Sequence, residues 1–146
     1  MQPPNQMQDK IELRLRTMRI LWLSLFLSVV IYYALTLFVK HPPNAQSNDI
    51  LFPVLVAIAL PTILISVLVK HKIITRAIEL QRVQLVQQGY IVALALAEVP
   101  ALLGLLAYFA TDNRYYPILF IIAVGGQLLH FPRRDHVISA SFKRGM

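Results

Sequence analysis

A single carboxylic acid stands in the run ALALAEVPALLGLLAY, Ala93 to Tyr108: Glu98, two residues before Pro100. An ionised acid at the centre of a lipid-embedded helix is opposed by about 2.5–3.5 kcal/mol on insertion scales. Glu98 is therefore expected to keep its proton there and to need a hydrogen-bonding partner. Counting inward from the basic end of each apolar block, at roughly 1.5 Å per residue, puts Ser28 and Thr62 within about one helical turn of Glu98 and Gln127 about a turn nearer that end. Glu98, Ser28, Thr62 and Gln127 form the candidate buried polar or ion-binding set. Two chemistries suit it: a neutral acid that fixes helix register, or a carrier of protons or sodium ions. Pro100 and Pro61 add acceptors, since each removes the helical donor of a carbonyl, Leu96 and Ala57 respectively.

Other residue types point away from catalysis. Without cysteine there is no disulfide, thiol nucleophile or thiolate metal site. His41, His71, His130 and His136 lack ligand spacing, so no metal, haem or other cofactor is expected. No glycine-rich phosphate loop, serine–histidine pair or carboxylate pair is present, and the chain is read as a non-enzyme.

The elements that must position Glu98 follow from composition. Of 146 residues 57% are apolar and only 14% charged, far from a soluble domain. Four apolar blocks, residues 20–39, 51–69, 90–110 and 115–131, match what crosses a hydrocarbon core of about 30 Å. An open sheet would leave backbone groups unpaired in lipid, so the expected fold is all-α, an integral membrane four-helix bundle. Beside Glu98, Ala93, Ala97, Ala101 and Gly104 recur at helical spacing and make a small-residue face for close helix packing, within the bundle or against another copy.

Charge sets the orientation. Lys10, Arg14, Arg16 and Arg19 precede the first block, Lys70, Lys72, Arg76 and Arg82 follow the second, and Arg133, Arg134, Lys143 and Arg144 follow the fourth; Lys40 and Arg114 alone occupy the other two loops. The positive-inside rule then makes both termini cytoplasmic. Basic flanks beside spans attract anionic headgroups, which accounts for the net charge of +7 without a nucleic-acid partner. Residues 70–89 read as an amphipathic cytoplasmic linker, either extending a span or lying on the surface, with Gly89 ending it or sitting inside the third helix. Asp9 and Glu12 resemble a capping box, so the first helix is expected to begin near Lys10. Pro42, Pro43 and Asn44 break the first external loop, and Thr111 to Arg114 form a tight turn on the same side. Pro132 halts the fourth helix, and the remaining tail is read as too short to fold alone.

The segment VQLVQQGYIVALA leading into LALAEVPALLGLLAY, residues 83–108, resembles the second helix of the c subunit of rotary ATP synthases. On that resemblance Glu98 falls on the ion-binding carboxylate. The family's glycine-rich first helix and Arg-Gln-Pro loop have no counterpart here. The longer layout, from the Arg-flanked ILW entry through AEVPALLGLL to LLHFPRR, also resembles small uncharacterised four-span bacterial membrane proteins, which implies a bacterial inner membrane. The expected function is a structural or accessory membrane subunit that packs through its small-residue face into an oligomer or larger complex. The alternative is a proton- or sodium-translocating component with Glu98 as carrier.

Overall fold

The computed structural model describes residues 4–40, 50–111 and 113–141. They form five helices: α1 Pro4–Phe38, α2 Leu51–Glu79, α3 Val83–Ala110, α4 Pro117–Leu129 and α5 Arg134–Ser141. The described chain is all-helical. α2, α3 and the Ile11–Phe38 part of α1 are long and apolar enough to cross a membrane, whereas α4 is apolar but has 13 residues. The breaks at Pro42, Pro43 and Asn44 fall outside the described residues.

α1 starts at Pro4, ahead of the expected cap near Lys10. A proline in a first turn lacks only a donor that the helix does not use, so nothing there stops helix growth. Asp9 and Glu12 consequently lie inside the helix. Of the two readings of residues 70–89, extension of a span is the one adopted: α2 runs on through Lys70 to Glu79, and α3 restarts at Val83. Between them Gln81 adopts φ 52°, while Gln81 N–H donates to Ile78 O and Arg82 N–H to Ala77 O at 2.9 Å. That pair of bonds closes α2 with a Schellman motif in which glutamine takes the left-handed position usually held by glycine. Gly89 sits inside α3, where an added Cβ would stand 3.1 Å from Ile73 Cγ2; its lack of a side chain lets α2 and α3 approach.

α3 is the hub. It packs along α2, α4 and α1, and buries residues along its whole length, from Val86 to Tyr108. α4 begins after a turn in which Tyr116 N–H donates to Asn113 O. At its far end Arg133 N–H donates to the Tyr90 hydroxyl at 3.0 Å. Residues 113–133 thus run back alongside α3 from Thr111 to Tyr90, about 30 Å at helical rise. The tail read as too short to fold alone forms α5 by packing on the bundle. Pro132 is buried and ends α4, after which Val137 and Ala140, three residues apart, enter a core with Ile11, Leu15, Met18, Ile74 and Val86. An apolar face at helical spacing with a ready partner is sufficient to hold an eight-residue helix. At the opposite end, the Tyr108 hydroxyl donates to Val39 O, fastening the exit of α1.

Candidate functional site

Glu98 projects from α3 toward α1 and is half-buried. Ser28 Oγ lies 2.5 Å from Glu98 Oε1 and 2.7 Å from Leu25 O. One hydroxyl has one proton, so both contacts are satisfied together when the acid is neutral: the carboxyl O–H donates to Ser28 Oγ, and Ser28 O–H donates to Leu25 O. Tyr32 stands near both Glu98 and Ser28. It follows Ser28 by four residues, which puts both hydroxyls on one face of α1. The Ser28 contact accommodates a protonated acid.

The other depth-matched residues do not join this cluster. Thr62 donates to Ile58 O at 2.7 Å, a bond to its own preceding turn, and among the described residues nothing ties it to Glu98. Gln127 is fully buried one turn away: Nε2 donates to Leu94 O at 3.4 Å, and its main-chain oxygen accepts from Trp22 Nε1 at 2.8 Å. Gln127 Oε1 has no partner among the described residues.

The small-residue face lies inside the chain. Ala93, Ala97 and Ala101 are fully buried. A Cβ on Gly104 would meet Phe120 Cε2 at 2.8 Å, and one on Gly126 would meet Ile63 Cδ1 at 2.4 Å and Ala97 Cβ at 3.4 Å. Of the two expected uses of this face, packing within the bundle is the one seen, with α4 lying on it at Gly104 and Ala97.

A second polar layer, absent from the candidate set, occupies the basic end and contains a serine–histidine pair that the sequence spacing did not reveal. Ser66 Oγ and His130 Nε2 are 2.7 Å apart, and Ser66 also donates to Ile63 O. Lys70 Nζ reaches Leu129 O at 3.2 Å and His130 Nδ1 at 3.4 Å. An ammonium only donates, so the chain has one direction: Lys70 to Nδ1, Nε2–H to Ser66, Ser66 to Ile63 O. His130 is held as a neutral ring of one tautomer. Lys70 also lies over the Tyr90 ring, 4.9 Å from its centre, and the Tyr90 hydroxyl is 2.7 Å from His136 Nδ1. Having accepted from Arg133 N–H, that hydroxyl donates to His136. Burial, followed by the positive charges of Lys70, Arg133 and His71, pushes the His136 pKa below its ordinary value, opposed by Asp135.

Spacing hinted at part of this layer: Ser66 and Lys70 are four apart on α2. The histidines carried no such signal, since Pro132 and the turn into α5 bring them to one place. Among the described residues no group of three metal-ligating side chains forms, and His41 lies outside them. Compared with protein-family models, with curated proteins and with solved structures, the chain matches none, so side-chain geometry carries the functional argument by itself.

Proposed function

We propose that the protein is a four-span structural or accessory subunit of a bacterial inner membrane, with both termini cytoplasmic and Glu98 acting as a protonated hydrogen-bonding residue. The Ser28–Glu98 contact carries this reading. α1 buries few residues, and a neutral acid bonded to Ser28 ties it to α3 without placing a charge in lipid. The span count draws support from the exposed large apolar side chains. With the exceptions of Leu13, Ile78 and Leu80, they fall between residues 20 and 39, 50 and 68, 91 and 109, and 115 and 131. α4 with its flanking turns runs beside α3 from Thr111 to Tyr90, about 30 Å, which supports a fourth crossing despite its 13 helical residues. Association with other membrane subunits or with copies of itself would use the outward apolar faces of α1 and α2, since the small-residue face is engaged internally.

Orientation is tested with single cysteines and an impermeant thiol reagent on intact cells. Gln84→Cys is shielded and Arg114→Cys labels; labelling at Gln84 overturns the topology. The role of Glu98 is tested with Glu98→Gln, which keeps shape and hydrogen-bonding capacity and is expected to assemble normally.

A second reading, proton or sodium translocation, is favoured by the hydroxyls around a half-buried acid and by the likeness of residues 83–108 to the carboxylate helix of ATP synthase rotor subunits. Flux in reconstituted vesicles separates the two. A wild-type flux that vanishes in Glu98→Gln sinks the structural reading.

A further inference from the structure

An open groove of about 700 Å³ runs between the first turns of α1 and the start of α5. Its floor on α1 is a single helical face, because its residues recur at intervals of three and four. Along that face the chemistry changes in a fixed order. Asp9 and Glu12 come first, then Arg16 and Arg19, then Ile20 and Leu23; Arg134 enters from α5 beside Glu12, one turn from Arg16. Glu12 and Arg16 are one turn apart, about 6 Å along the axis, and Leu23 lies roughly 10 Å beyond Arg16. The Arg19–Ile20 step is also where the apolar block begins, so the groove straddles the boundary between charged flank and span.

We propose that this groove binds a phospholipid with a primary ammonium headgroup, of the phosphatidylethanolamine type. The inference rests on the membrane placement proposed above. The order of groups matches such a lipid read from water inward: ammonium against Asp9 and Glu12, phosphate against Arg16, Arg19 and Arg134, acyl chain along Ile20 and Leu23. Arginine forks suit phosphate oxygens. An anionic lipid without an ammonium would leave the two carboxylates facing its uncharged headgroup. A choline lipid has no N–H to donate to them. The groups are free to exchange partners, since the Arg134–Glu12 ion pair is long, 3.9 Å, with side chains 55% and 69% exposed, a type of pair that contributes little.

The test is native mass spectrometry of the full-length protein in detergent, with ethanolamine, choline and glycerol phospholipids of identical acyl chains at equal concentration. The wild type retains the ethanolamine lipid about threefold over the other two, the discrimination expected of exposed charge pairs. Asp9→Asn with Glu12→Gln removes the preference while total lipid retention stays. Arg16→Gln with Arg19→Gln lowers retention of all three lipids. Glu79→Gln, an acid at the same end but outside the groove, changes nothing. Equal retention of ethanolamine and choline lipids by the wild type, or a preference that survives loss of both acids, overturns the proposal while leaving the membrane placement intact. A wild-type chain that stays monodisperse without detergent overturns the membrane placement and this inference with it.

Discussion

The basic end of the molecule and its apolar middle are packed from different residues. At the basic end the core is mostly large, holding Ile11, Leu15, Met18, Ile74, Val86, Tyr90 and Val137 beside Ala77 and Ala140. In the middle, α3 presents the small Ala93, Ala97, Ala101, Gly104 and Ala107 to its neighbours, with Ala59, Ala123 and Gly126 set among the larger Val29, Leu55, Leu119 and Phe120 opposite. The difference has a physical source. Where water competes, burying a large aliphatic side chain is favoured by about 25 cal/mol per Å². Between spans in lipid that drive is missing, and close backbone approach over small residues supplies the contact. The run of small residues on α3 begins near Tyr90, beside the end of the molecule where the basic residues cluster.

Truncation at the two ends of this comparison gives the largest predicted contrast. Met18 is 2% exposed in the basic-end core, and Met18→Ala is expected to cost about 2–5 kcal/mol. Leu64→Ala, on the outward face of α2, changes stability by less than about 0.5 kcal/mol. Thermal unfolding in mild detergent measures both, and equal losses would erase the distinction between the regions.

Enlargement breaks the middle instead. Gly104→Leu pushes a side chain into the Phe120 ring, and overpacking of this kind costs about 1–3 kcal/mol. Leu103→Ala, one residue away and only partly buried, destabilises less. The same unfolding assay ranks the pair, and a reversed order would mean that α4 does not lie on this face.

A smaller effect is expected at the carboxyl. Ser28→Ala removes one interhelical bond of a kind worth about 0.6 kcal/mol on average, and Tyr32 remains to receive Glu98. Removing both hydroxyls, in Ser28→Ala with Tyr32→Phe, should loosen α1 more than the sum of the single changes, read as crosslinking between α1 and α3. Strict additivity would show that the two hydroxyls do not act on one acid.

The smallest predicted effect is a pH dependence confined to the basic end. The His136 pKa is lowered in the folded protein, so between that value and the ordinary one near 6.5 the unfolded chain binds a proton that the folded chain does not. Folding stability consequently falls as pH drops through about 6.5. Between pH 7.5 and 5.5 the wild type should lose more thermal stability than His136→Gln, whose side chain does not titrate. Parallel losses would remove His136 from the account.

Much of the architecture is legible without coordinates because bilayer thickness and backbone hydrogen bonding leave few options for long apolar blocks. Sequence by itself determined helical structure, segments long enough to cross a membrane, the split of basic residues and the one acid that needs a partner. Depth along a span is likewise a matter of counting residues, and Ser28 and Glu98 lie at one level. Rotation about each helix axis is not countable in this way. Packing turned Thr62 toward its own helix, brought Tyr32 to Glu98 and enclosed the Ala93 to Gly104 face under α4. Tertiary structure also decided that the tail folds as α5 and that His130 and His136 share a layer with Ser66, Lys70 and Tyr90, because those contacts join residues up to 64 positions apart whose meeting depends on how four helices settle against one another.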